Sequence, residues 1–211
     1  RAFAKNKKKF FLIGSIAING PDNKILNRSF VIDDKGNIIS RYDKIHLFDV
    51  NLSERQSYRE SASVYGGDSA VICQTPFAKM GQTICYDLRF PNLYRELSQS
   101  GAEILFVPAA FTQKTGQAHW HVLNRARAIE NGAFVVAPCA IGKVDGGGAS
   151  YGHSLIINPW GEILADGGDQ VGVINAEINL DEVGIARQRI PSLRHDKSFG
   201  ITEGVATKAT R

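Results

Sequence analysis

Methionine occurs once, tryptophan twice and cysteine three times in these 211 residues. Three cysteines, Cys73, Cys85 and Cys139, are an odd number without a Cys-x-x-Cys pair. That excludes a disulfide scaffold, and it points to free thiols in a reducing, cytoplasmic setting. No apolar run reaches the ~18 residues needed to span a bilayer. Neither sign of charge dominates: Lys+Arg 25 against Asp+Glu 21 leaves +4. Much of that excess lies in Arg1, Lys5, Lys7, Lys8 and Lys9, just before an apolar stretch and without interleaved aromatics. The run reads as a solvated helix end, and it calls for neither a nucleic acid nor a membrane as partner. Repeats and low-complexity linkers are missing as well.

What is present is a chain with 43% hydrophobic and 22% charged residues, enough to bury its own core as one large domain. Residues 1–194 read as that domain and 195–211 as a loose polar tail. Lys9 to Ile18 reads as a buried strand. Ser29 to Asp33 and Ile38 to Tyr42 flank the turn Asp34-Lys35-Gly36-Asn37 as a hairpin. Asn51 to Asp68 reads as a long polar loop, and Ala70 to Gln74 and Met80 to Cys85 as short strands. Pro91 opens a helix to about Ser100. Ile104 to Val107 is a strand. His119 to Asn131 has helical spacing, with Val122, Leu123, Ala126 and Ile129 on one side. Phe134 to Pro138, His153 to Asn158, Glu162 to Ala165 and Val171 to Ile178 read as further strands, and Leu180 to Gln188 as a helix. Gly146-Gly147-Gly148 fits no phosphate-binding pattern and reads as flexible loop. The alternation argues for an α/β layered fold with sheets inside and helices outside.

Cys85, in GQTICYDLRFP, is the strongest chemical feature. It ends a short apolar stretch before a turn and a helix, a junction that commonly lifts a nucleophile out of a sheet. Backbone N–H groups of such a turn lower a thiol pKa and later hold an oxyanion. A small core residue at a strand end is the competing reading, and it is the better one for Cys73 and Cys139. His119 and His121 lack a third candidate at ligand spacing, so no metal is expected from them. Lys44 in YDKIHLFD and Glu60 in SYRES, taken singly, read as surface residues.

Together these segments resemble the nitrilase superfamily of carbon–nitrogen hydrolases. YDKIHLFD resembles its lysine motif, YRES-x-x-x-x-GG-D its second-glutamate loop and GQTICYDLRFP its cysteine motif. GAEILFVPAAF, TGQAHWHVLNRARAIEN and YGHSLIINPWGEIL follow in family order, nearly to the end of the chain. Within the family the sequence is most similar to the branch of deaminated glutathione amidase and ω-amidase. The resemblance implies an α-β-β-α sandwich, a homodimer and no cofactor or metal. It implies Cys85 as nucleophile, Lys44 and the Tyr86 backbone N–H as oxyanion donors, and Glu60 as a supporting carboxylate. The implied reaction is hydrolysis of a small carboxylate-bearing amide to acid and ammonia through a Cys85 thioester. Arg89 is a candidate for binding the substrate carboxylate, or equally for bracing the helix at Pro91.

Two departures stand beside the resemblance. The family's general-base glutamate precedes the lysine, but the acids before Lys44 are Asp22, Asp33, Asp34 and Asp43. The opening RAFAKNKKKFFLIGSIA resembles the family's second helix and third strand. The chain is therefore expected to lack the first two strands and first helix, on the order of 60 residues at ~30 per βαβ unit. The alternatives are an inactive binding or dimerisation module, and a nitrilase acting on a nitrile. His121 is the second departure, since relatives often carry glutamate there.

Overall fold

The computed structural model describes residues 1–53, 56–144 and 148–204. A short helix, α1 (Ala2–Lys7), carries the basic run, and Lys5, Lys7, Lys8 and Lys9 are all exposed on it or just after it. Strands β1 (Phe11–Asn19), β2 (Ile25–Ile32) and β3 (Ile38–Asp43) then form an antiparallel meander. The turn between β2 and β3 is built by Asp33, whose Oδ1 accepts the N–H groups of Lys35 and Asn37, while Gly36 takes φ +85. The expected hairpin is present.

The segment expected as polar loop is more ordered than its composition suggests. β4 (Asp49–Ser53) and β5 (Gln56–Arg59) pair as an antiparallel ribbon. A single 3₁₀ turn, Glu60–Ala62, follows, and β6 (Val64–Tyr65) lies parallel to β2. With little apolar alternation in the segment, periodicity gave no sign of these strands.

The central sheet has six strands: β7 (Val71–Gln74), β8 (Lys79–Gln82), β9 (Ile104–Phe106), β10 (Phe134–Ala137), β13 (Leu155–Ile157) and β14 (Ile163–Asp166). Between β10 and β13 the chain makes a small antiparallel pair, β11 (Ile141–Lys143) with β12 (Ala149–Tyr151). β8, β9 and β10 run parallel, and antiparallel strands flank them. Their side chains alternate between two cores, as a sheet covered on both faces requires. Leu105, Val135 and Ala137 face the helices α2 (Pro91–Gln99) and α3 (His121–Asn131), together with Leu97, Trp120 and Ala128. Ile104 and Phe134 turn the other way and pack with Val31 of β2, Cys73, Met80 and Val183 of the last helix, α4 (Asp181–Arg189).

Two expectations need correction. Val171 to Ile178 is not a strand: no neighbouring strand pairs with it among the described residues, and Val171 and Val173 are 91% and 94% exposed. Its composition favours a strand, but a strand needs a partner to satisfy its backbone. Nor does Cys85 end a strand, because β8 stops at Gln82 and Cys85 opens a 3₁₀ turn over Cys85–Arg89. Of the glycine cluster, Gly146 and Gly147 lie outside the described residues, as does the tail beyond residue 204. Where the tail begins, Asp196 pairs with Arg95 of α2 at 2.5 Å.

Candidate active site

Cys85 sits in a left-handed backbone conformation, φ +49, which a non-glycine residue adopts at a cost of order 1–2 kcal/mol. The surroundings hold it there. The Cys85 N–H donates to Pro108 O at 3.0 Å, anchoring the turn to the segment after β9. The Asp87 carboxylate folds back and accepts the Ile84 N–H at 2.8 Å. The Tyr86 N–H has no acceptor among the described residues, so it is free to donate to an oxygen arriving beside the sulfur.

Lys44 follows β3 and is 3% exposed. Its position is pinned on both sides: the Lys44 N–H donates to Asn27 O at 3.0 Å, and Lys44 O accepts the Gly67 N–H at 2.8 Å. Gly67 is required there, since a Cβ would meet Asp43 O at 2.3 Å. Glu60, opening the 3₁₀ turn after β5, meets the Lys44 ammonium at 2.5 Å through Oε2. The same oxygen accepts the Phe48 N–H, and Oε1 accepts the Asn27 amide at 3.3 Å. A buried charge pair is tolerable when its remaining valences are satisfied in this way.

Lys44, Glu60, Cys85 and Tyr86 line one cavity of about 460 Å³, with Asn27, Phe48, Tyr58, Arg59 and Phe111 among its other walls. Residues separated by 41 and 25 positions in sequence from Cys85 thus meet at one place. Glu60 is the carboxylate residue in the cavity wall among the described residues. Arg89 is not in that wall. Its guanidinium lies over the Phe111 ring at 5.4 Å and contacts His119 Nδ1 at 3.3 Å.

The thiol differs from expectation. Burial pushes Cys85 up to about 11, more than the Lys44 ammonium and the Ala110 N–H pull it down. Near neutral pH the sulfur therefore carries its proton.

Sequence reasoning missed two contributors. Asp87 is fully buried and accepts from the Tyr42 hydroxyl at 2.7 Å, the His46 N–H at 3.0 Å and the Ile84 N–H. His46 Nδ1 also lies 2.8 Å from it. The signal was available: an acid two residues past a turn nucleophile suits the local N–H groups. Arg59 is among the residues lining the cavity, and it stands next to Glu60 in the sequence.

A cysteine, a lysine and a glutamate thus converge in one cavity of an α/β fold, and the chain belongs to the carbon–nitrogen hydrolase family, whose model matches residues 1–188. The chain is similar to a deaminated glutathione amidase of Synechocystis, 47% identical over 180 residues that make up 84% of this chain and 66% of that protein. It is also similar to the omega-amidase NIT2 of Homo sapiens, 35% identical over 188 residues, 89% of this chain and 68% of that one. Among solved structures, the C. elegans NitFhit protein superposes with a TM-score of 0.87 at 35% identity, covering 93% of this chain and 48% of that chain. The chain thus spans about two thirds of the length of these curated relatives.

Proposed function

We propose that the protein hydrolyses the carbon–nitrogen bond of a small, carboxylate-bearing amide, of the deaminated glutathione or α-keto ω-amide kind. The observation that carries this reading is Cys85, strained and facing the Lys44–Glu60 pair in a single cavity. The relatives named as amidases support the choice of amide over nitrile.

In this reading the Cys85 sulfur attacks the amide carbon, and the carbonyl oxygen becomes an oxyanion held by the Lys44 ammonium and the Tyr86 N–H. Collapse expels ammonia and leaves a thioester, which water hydrolyses to the acid and the free thiol. Glu60 is engaged by Lys44, Phe48 and Asn27, so its assigned role is to orient Lys44. The thiol proton is passed on to the leaving nitrogen, so that neutral ammonia departs. For the substrate carboxylate, Arg59 is the better-placed cation, because it lines the cavity whereas Arg89 is taken up by Phe111 and His119.

A second reading rests on the same high thiol pKa and the same solitary cavity carboxylate: a site that binds amides or acids without turning them over. Ammonia release measured against Cys85→Ala separates the two.

Assembly is proposed to be a homodimer. Val122 and Ile129 of α3 are 66% and 51% exposed, with Trp160 and Ile185 also uncovered nearby in the chain's outer layer. An apolar patch of this kind on a folded surface suits a protein partner. The free thiols Cys73, Cys85 and Cys139 fit a reducing compartment such as the cytoplasm, and no described helix is long and apolar enough to cross a membrane.

A further inference from the structure

Away from the cavity, His121, His153 and Asp166 bring one ligand atom each into a group spanning no more than 4.8 Å. Asp166, at the end of β14, is shared. Its Oδ2 lies 3.0 Å from His121 Nε2 and its Oδ1 lies 2.9 Å from His153 Nδ1. Spacing in the sequence hides this group, because its members come from α3, from the loop after β12 and from β14.

Each member is fixed before any ligand arrives. His121 is the first residue of α3, directly after the fully buried Trp120. His153 is held in the left-handed region, φ +53, by hydrogen bonds on both sides of its backbone. Its N–H donates to Gly168 O at 2.7 Å, and its carbonyl accepts the Trp120 indole N–H at 2.7 Å. Its ring stacks on Tyr151 with centroids 4.5 Å apart and meets the His121 ring at 5.0 Å. The Asp166 carboxylate also accepts the Gly168 N–H at 2.8 Å, the kind of outer partner that orients a metal ligand.

We infer that His121, His153 and Asp166 form a binding site for a divalent transition metal, with zinc the best match. Two imidazoles and a carboxylate are a donor set that zinc accepts, with bonds of ~2.0–2.2 Å and therefore ligand atoms about 3.4 Å apart in a tetrahedron. The present separations from Asp166 are a few tenths of an ångström shorter, as befits N–H groups donating to the carboxylate; small ring rotations open the triangle once the cation replaces those protons. The three side chains are partly exposed, so a fourth position is open to water. The site ties the start of α3 to β14, and β12 beside it supplies Ala149 and Ser150 to the cavity wall. Its proposed role is to brace that wall.

The test is titration of the full chain with Co²⁺, followed by its visible absorption, with Zn²⁺ as competitor and thermal unfolding as a second readout. The expected result is one Co²⁺ per chain, displaced by Zn²⁺, and a raised melting temperature with either ion. His121→Gln, His153→Asn and Asp166→Asn each weaken binding by at least ~10-fold; asparagine is chosen at 153 because it tolerates the left-handed backbone. His119→Gln, two residues before His121 and outside the group, leaves binding intact. Circular dichroism of each variant separates loss of ligand from loss of fold, and the three ligands lie on separate elements, so one misfolded variant leaves two to decide. Absence of saturable binding at millimolar metal overturns the inference, as does saturable binding that survives His121→Gln and His153→Asn.

Discussion

The Tyr42 hydroxyl donates to Asp87 Oδ2 at 2.7 Å, and that bond joins the end of the strand before Lys44 to the turn that presents Cys85. Both partners are fully buried. His46, two residues beyond Lys44, binds the other Asp87 oxygen through its N–H. The carboxylate therefore ties the segment that carries Lys44 to the turn that carries Cys85, and it is not itself part of the cavity wall.

Asp87→Asn replaces one acceptor oxygen by an amide that faces donors from Tyr42, His46 and Ile84. Loss of charge-assisted bonds in a buried place costs about 2–4 kcal/mol. Urea unfolding of the variant measures it, and a change near zero would mean that the carboxylate braces nothing.

Oxyanion stabilisation by Lys44 predicts a fall of ~10²–10³ in turnover for Lys44→Ala. Lys44→Arg is not expected to rescue it, because a planar guanidinium does not fit the compact seat against Glu60 and Phe48. Single-turnover kinetics with equal folding of both variants checks the point; full activity in Lys44→Arg would show that only charge matters.

The Cys85 thiol gives a prediction in pH. Its folded pKa of about 11 exceeds the unfolded value of 9.0, so the unfolded chain loses this proton first. The neutral thiol thus contributes stability fully present below pH 9, and that stability falls as pH rises from about 9 through about 11. Cys73, Cys139, Tyr42 and Tyr94 are shifted the same way. The comparison is therefore between the wild type and Cys85→Ser at pH 8 and pH 10.5. Wild type is expected to lose more stability over that interval, whereas equal losses would mean that the thiol is not raised. Alkylation of Cys85 by iodoacetamide should likewise accelerate well above pH 9.

Arg59 and Arg89 differ in what they reach. Arg59→Ala is expected to raise KM for a carboxylate-bearing amide by ~10-fold or more and to leave a neutral amide nearly unchanged. Arg89→Ala removes a contact with Phe111 and His119, so its expected effect is on stability. The reverse pattern would return the carboxylate to Arg89.

Much of the fold was legible because its strands are covered on one or both faces and bounded by turn residues. The Asp33–Asn37 turn, the Pro91 helix start and the short apolar run Ile104-Leu105-Phe106 all state their structure locally. The misreadings have physical causes. β4 and β5 form a mainly polar ribbon, and Val171 to Ile178 has strand composition with no strand to pair with among the described residues. α3 reverses the usual signal. Val122 and Ile129 are exposed, while Asn124, Arg127 and Asn131 are buried and bond to Trp120 O, Leu88 O and Arg127 O. Periodicity finds an apolar stripe but does not say whether it meets the core or a partner.

The site was legible through motif order for Cys85, Lys44, Glu60 and the Tyr86 N–H, which converge on one cavity. Asp87 and Arg59 were hidden in the same motifs, as an acid and a cation without a visible partner. The His121–His153–Asp166 group was not legible at all, since its members are 32 and 13 positions apart and only the folded chain brings them together.

The most direct test of the account is ammonia release from deaminated glutathione and from an α-keto ω-amide by the full chain, beside Cys85→Ala. The wild type is expected to release ammonia, with an acyl adduct on Cys85 visible by intact mass, and the variant to release none. Release that persists in Cys85→Ala, or a wild type that binds these amides without releasing ammonia, would contradict it.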